Sequence, residues 1–322
     1  MRLRYKTVIA GFLLMNGLIA VGQDTWYGSV SGIQLMYNPA YTGATGVATM
    51  NISAYTFLPG NGFDLRSVYA SFDSYYPLLH GGAGLWISDD ILGEILNDFR
   101  TGACYSYHLR AGRDLWFNAG LTASLIWRGI KPGAVIMPGD IDPFGGITGG
   151  SSEYYDSYGA LRFDLGTGIS FAAGPWYGGF SVMHLTQPSM SDDQQDRDRV
   201  RRLYSLSAGT LISTSDGSFT LNPSALIMVQ GNTLKAFLGT EAEYRNLLFG
   251  IALWHSFSGF TALQPSAGWG ADVVKIILSY SYIIGGGNNA FGGAAIVKAG
   301  LSLSFNNVEK RRVPHIIKLP VL

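Results

Sequence analysis

A chain of 322 residues is long enough for one undivided all-β barrel or for two smaller domains. Only 14% of its residues are charged, about half the usual share for a soluble domain, while Gly (43), Tyr (18) and Phe (17) are abundant. The formal net charge of zero leaves no nucleic-acid footprint, and no stretch of about 18 apolar residues spans a bilayer as a mature helix. Low charge, many aromatics and many glycines then point to a closed β-barrel in lipid.

In chain order, residues 1–22 read as a cleavable export signal. Arg2, Arg4 and Lys6 precede an apolar core from Val8 to Ile19, and Ala20-Val21-Gly22 is small-x-small before Gln23. Residues 23–45 are expected to form an N-terminal segment in the periplasm or a plug entering the barrel. Within it, GIQLMYNPAYTGATG (32–46) reads as an ordered turn rather than a helix. Asn38 precedes Pro39 and is biased away from the helical region, and Gly43 and Gly46 supply backbone freedom. As a plug, this turn lays Tyr37 and Tyr41 against the barrel; the plainer reading is a lead-in to the first strand.

Residues 46–305 are expected to form the barrel. The alternating segments are 46–58, 65–77, 81–92, 96–110, 113–130, 157–174, 176–187, 200–215, 217–231, 233–246, 247–257, 261–272, 273–284 and 294–305. That makes about fourteen transmembrane antiparallel strands, an even number as in single-chain bacterial barrels. The alternation is clearest at 115–128, where Leu115, Phe117, Leu121, Leu125 and Trp127 share a lipid-facing side against Asn118, Gly120, Thr122, Ser124 and Arg128. The longest connections, 131–156, 188–199 and 285–293, all follow odd-numbered segments, the asymmetry of long outer loops and short periplasmic turns. Residues 306–322 are then a periplasmic tail. A soluble β-sandwich also alternates, but needs more charge on its solvent faces.

The residues that carry chemistry elsewhere do not assemble a motif here. His80, His108, His184 and His255 sit in no metal-site or hydrolase spacing, and read as polar strand-end or lumen residues. In the loop SMSDDQQDRDRVRR, Asp192, Asp193, Asp196 and Asp198 are offset by Arg197, Arg199, Arg201 and Arg202, which reads as a solvated, internally paired loop. The single cysteine, Cys104, excludes an internal disulfide and reads as a small lumen-facing residue. The expectation is a non-enzyme with no cofactor and no metal site.

Several stretches, taken in order, resemble the PorP/SprF outer-membrane proteins of the type IX secretion system of Bacteroidetes. The N-terminal element is similar to that family's Gln-x-Met-x-Asn-Pro-Ala-Tyr-x-Gly signature through Gln34, Met36, Asn38, Pro39, Ala40, Tyr41 and Gly43. GAGLWISDDILGE resembles its Gly-rich hairpin through Gly82, Gly84, Leu85, Ile87, Asp90 and Gly93. WYGGFSVMHLTQP, ending in His184-Leu185-x-x-Pro188, and RRLYSLSAG, beginning at Arg201 and Arg202, are similar to the central strands. Members often close on a Gly-Ser-His-Glu strand, whereas GGAAIVKAGLSLSF stands here.

The resemblance implies an outer-membrane accessory of type IX secretion, in a lineage that includes gliding motility. It implies support for export or surface attachment of specific secreted proteins, notably adhesins with a type-specific C-terminal domain. The implied partners are those adhesin domains, the periplasmic ring and peptidoglycan-binding components of the machinery, and outer-membrane lipid. The quoted motif residues, from Gln34 to Arg202, are then candidate partner contacts. A passive channel for small solutes is the alternative, since a fourteen-stranded barrel can hold an aqueous lumen. Inward-facing Trp116 and Ile126 weigh against it.

Overall fold

The computed structural model describes residues 32–57, 65–93, 96–130, 141–142, 146–147, 158–190, 199–257, 259–271, 273–285 and 295–305. The expected export signal, the tail at 306–322 and most of the 131–156 loop lie outside them. The strands are β1 (Ala48–Phe57), β2 (Leu65–Tyr76), β3 (Gly81–Leu92), β4 (Leu96–Arg110), β5 (Leu115–Ile130), β6 (Tyr158–Ala173) and β7 (Trp176–Met183). They continue as β8 (Leu203–Thr210), β9 (Phe219–Gln230), β10 (Thr233–Tyr244), β11 (Leu247–Ser256), β12 (Thr261–Gly270), β13 (Val274–Gly285) and β14 (Ala295–Phe305).

Each strand pairs antiparallel with its neighbours in sequence, and β1 pairs with β14 from Ala48↔Phe305 to Phe57↔Ile296. The sheet is therefore a closed up-and-down barrel of fourteen strands, as the alternation predicted. Side chains follow the pleat. On β5, Phe117, Leu121, Leu125 and Trp127 point outward, and Leu121 is 62% exposed. Between them Trp116, Asn118, Thr122, Ser124 and Ile126 are buried in the lumen. A half-apolar, half-polar strand suits two environments, lipid outside and a packed polar interior within.

Strand ends depart from the sequence reading where backbone chemistry intervenes. β7 stops at Met183, not 187, because His184 (φ 57) and Gln187 (φ 46) adopt left-handed conformations that leave the ladder. The expected 200–215 segment breaks at Leu211, and pairing with β9 resumes at Ile212↔Leu221. The unpaired register positions fall opposite Asn222 and Pro223. Pro223 has no N–H to donate, so the interruption sits where the sequence cannot supply a bond. Pro265 does the same in β12: it pairs with Ile251 on one side, while the ladder with β13 skips Gln264 and Pro265.

Connections after even strands are short, such as Gly174-Pro175 and Arg245-Asn246, while those after β5, β7 and β13 are long. In barrels of this kind the short-turn end faces the periplasm. In the outer half of the lumen, Asp98 takes two hydrogen bonds from Arg128 at 2.7 Å each and one from Arg100 at 3.4 Å, a charged knot that spares lipid contact. Placing a charge on the other face has a definite cost. Leu121→Arg is expected to destabilise the folded barrel by about 2–4 kcal/mol, against near-neutral Leu121→Phe, as read from urea unfolding in lipid vesicles.

Candidate functional site

Residues 33–44 are almost wholly buried, and they lie inside the barrel. A single helical turn, α1 (Gln34–Tyr37), is followed by a 3-10 turn at Pro39–Tyr41. The sequence suggested a turn without helix, and the one helical turn is the difference. Asn38, extended at φ −147 and ψ 109, ends α1, as its place before proline requires. Its side-chain oxygen accepts from the Ala40 N–H at 2.9 Å and so caps the 3-10 turn, while its Nδ2 donates to the Ile169 carbonyl on β6 at 3.2 Å. One residue thus shapes the segment and fastens it to the wall.

The segment's other polar backbone groups are met by inward side chains of successive strands. Ser106 on β4 (3.0 Å), Ser170 on β6 (3.3 Å) and Asn118 on β5 (3.4 Å) all donate to the Ala40 carbonyl. Ser181 on β7 donates to the Tyr37 carbonyl at 2.5 Å, and the Gly43 N–H donates to Asp73 on β2 at 2.6 Å. His108 on β4 reaches the Thr42 carbonyl through Nε2 at 3.0 Å. A carbonyl only accepts, so that nitrogen carries the proton. The Tyr41 hydroxyl meets the Ser207 hydroxyl on β8 at 2.8 Å. Each such bond contributes about 1 kcal/mol net, and leaving any of these buried groups unmet costs more.

Close approach requires the wall to yield room, and glycine supplies it. A Cβ at Gly120 would stand 2.3 Å from the Ala40 nitrogen, and one at Gly82 would stand 2.0 Å from the Thr42 oxygen. Gly168 and Gly179 make the same space for the Asn38 side chain. On the segment itself Gly43 has φ +67 and faces the Gly82 Cα, so both its backbone and its surroundings exclude a side chain. Above this seat Leu35, Met36 and Tyr37 pack with Tyr55, Tyr69 and Trp86 of the wall. Gly84 lies beneath Leu35, and Gln34 lies beside the same cluster.

The structure therefore brings together Gln34, Asn38, Pro39, Tyr41, Gly43, Gly82 and Gly84 from the sequence motifs. It separates the others. Asp90 is fully buried further along β3, and Gly93 (φ +66) makes the turn after it. His184 Nδ1 pairs with Asp164 at 2.7 Å, and the Thr186 hydroxyl donates to the same carboxylate at 2.6 Å. The Pro188 carbonyl accepts from Val200, the Arg201 carbonyl from Gln230, and Arg202 reaches the Leu185 carbonyl at 3.4 Å. These residues close the base of the loop after β7. Asp73, Asn118 and Gly120 are seat residues that the motifs did not include, whereas Ser106 and His108 belong to YSYHLR (105–110), which follows the Gly-rich hairpin. Cys104, buried on β4, donates to Thr122 at 3.3 Å and is a lumen residue as expected. Among the described residues no group of three or more His, Cys, Asp or Glu is arranged to hold a metal ion.

The family model for the type IX secretion system membrane protein PorP/SprF matches residues 21–295. The chain belongs to that family. No curated protein sequence matches it. Among solved structures, this PorP/SprF protein is similar to the Ralstonia pickettii toluene transporter TbuX at 11% identity and a TM-score of 0.51, covering 87% of this chain and 96% of that one. It is likewise similar to a Pseudomonas aeruginosa FadL homologue at 10% identity and a TM-score of 0.51, covering 89% and 98%. At such identities the likeness shows the fold alone: an outer-membrane β-barrel. The stretch Asn38-Pro39-Ala40-Tyr41-Thr42-Gly43, within the matched residues, is the part that seats inside that barrel.

The seat predicts a separable phenotype. Gly120→Val and Gly82→Val set side chains against backbone that cannot give way, and each is expected to destabilise the seated segment by about 1–3 kcal/mol. Limited proteolysis should then cut within 32–47 while the unboiled protein keeps its folded gel mobility. Gly259→Ala, with nothing within 4 Å of the added carbon, should leave the segment protected.

Proposed function

We propose that this protein serves type IX secretion as an outer-membrane partner of particular cargo, supporting the export or surface attachment of secreted adhesins rather than conducting cargo itself. The observation that carries the reading is the seated segment: hydrogen bonds from β2, β4, β5, β6, β7 and β8 converge on residues 37–43 and occupy the lumen. A lumen obstructed in this way along β2 and β4 to β8 favours action through its two ends. On the outer side, exposed Arg201 and Arg202 stand at the base of the loop after β7, on a rigid scaffold suited to polar recognition of an adhesin C-terminal domain. On the periplasmic side, the short turns and the tail at 306–322 are the surfaces offered to the ring and peptidoglycan-binding components.

Deleting the gene is expected to remove selected adhesins from the cell surface while other type IX cargo still leaves the cell, read by comparative surface proteomics. Loss of all such cargo would instead make the protein a core component. In planar bilayers the intact protein is expected to conduct little, and deletion of 23–43 to raise the conductance. Large, steady conductance by the intact protein would support the small-solute channel and overturn the partner reading.

A further inference from the structure

The turn between β2 and β3 has a composition of its own. The short turns at 111–114, 174–175, 214–218 and 245–246 carry no large apolar side chain, whereas this one reads Pro77-Leu78-Leu79-His80. Leu78 is 94% exposed and Leu79 48%. Water resists so much free leucine surface, and hydrocarbon accepts it.

The turn is ordered. Pro77 opens a 3-10 turn and His80 closes it in the left-handed region (φ 50), with the His80 N–H donating to the Pro77 carbonyl at 3.1 Å. The His108 N–H on β4 donates to the His80 carbonyl at 2.9 Å, and the Tyr105 hydroxyl donates to the Leu79 carbonyl at 2.7 Å. Tyr105 stands with Tyr107 and Leu109 on the outward, lipid-facing side of β4. Its hydrogen bond therefore draws the turn outward, over the lipid side of the wall, and pairs a carbonyl that lipid would leave unmet. The exposed rings of Tyr76, Tyr105 and Tyr107 give the depth: amphipathic rings settle at the headgroup level, and the turn follows Tyr76 directly.

We propose that the β2–β3 turn is a lipid anchor whose Leu78 and Leu79 enter the headgroup–acyl boundary of the periplasmic leaflet. Phospholipid is the occupant because the patch continues the lipid-facing surface of β2 and β4, and Pro77, Leu78 and Leu79 offer no polar side chain for a protein to address. The anchor also braces the seated segment. His108, which holds the turn through its backbone N–H, holds the Thr42 carbonyl through Nε2, so both share one residue. This contact needs only the barrel and its bilayer, and stands apart from the secretion role.

The test uses the full chain folded into vesicles of phosphatidylethanolamine and phosphatidylglycerol, with a nitroxide attached after folding at Leu78→Cys; Cys104 is buried and stays unlabelled. Power-saturation EPR should find this label open to oxygen and shielded from a nickel chelate, the signature of lipid. A label at Ser215→Cys, exposed in the 214–218 turn, should give the reverse. Leu79→Cys supplies the same readout should Leu78→Cys lack folded gel mobility. Tyr105→Phe keeps the ring and removes the hydrogen bond, so it should shift the label at 78 toward nickel access. A label at 78 as open to nickel as the one at 215 would overturn the proposal. So would shielding from both reagents, which marks a protein contact, or a label unmoved by Tyr105→Phe.

Discussion

Everything in this protein follows from the ladder that joins β1 to β14. In hydrocarbon no water is available to meet a free N–H or C=O, so a sheet must have no edge, and the ten pairs from Ala48↔Phe305 to Phe57↔Ile296 abolish the two edges the fourteen-stranded sheet would have. Closure also fixes a boundary condition. β1 must begin at the short-turn end to run antiparallel to both β2 and β14, so residues just before Ala48 arrive at that end. They turn inward there, and the lumen becomes part of the core.

Packing a peptide segment inside a barrel raises a conflict between room and hydrogen bonding. The segment brings buried carbonyls at Tyr37, Ala40 and Thr42 that need donors, and the same wall must stay far enough away not to collide. Inward positions on the wall resolve this by division of labour. Ser106, Asn118, Ser170, Ser181 and His108 extend to the carbonyls, while Gly82, Gly120, Gly168 and Gly179 retreat where backbone or Asn38 comes closest. The arrangement is specific because each position has one size that works.

The barrel was legible because a period of two, sustained over sixteen residues in β5, has no reading other than a strand with two different faces. Its ends were harder to read. The stop at Met183 depends on the left-handed backbone of His184, and the break at Leu211 depends on Pro223, a residue in a different strand. Half of the site was visible as a motif, since Asn38-Pro39 and Gly43 announce an ordered turn. The other half was present in the sequence without its meaning: Gly120 and Gly168 sat in the inward register, but a glycine there is legible as a seat only once the occupant is known. Asp73 and His108 looked like ordinary polar alternation for the same reason. The four-residue helix at Gln34–Tyr37 is too short to leave a periodic signal.

The wall of this barrel is not level. β5 and β6 run for 16 residues each, whereas β7 and β8 run for 8. With ~3.4 Å of rise per residue and a tilt of ~40°, the long strands reach about 42 Å along the membrane normal and the short ones about 21 Å. The apolar band of such a membrane is about 25 Å, so β5 and β6 overtop it while the adjoining β7 and β8 end near its edge. A bilayer meeting a short flank thins or the protein leans, at fractions of a kcal/mol per ångström of mismatch. The rim therefore steps down between neighbouring strands, from a raised bank at β5 and β6 to a low sill at β7 and β8, and the bilayer meets the protein at two heights across that step.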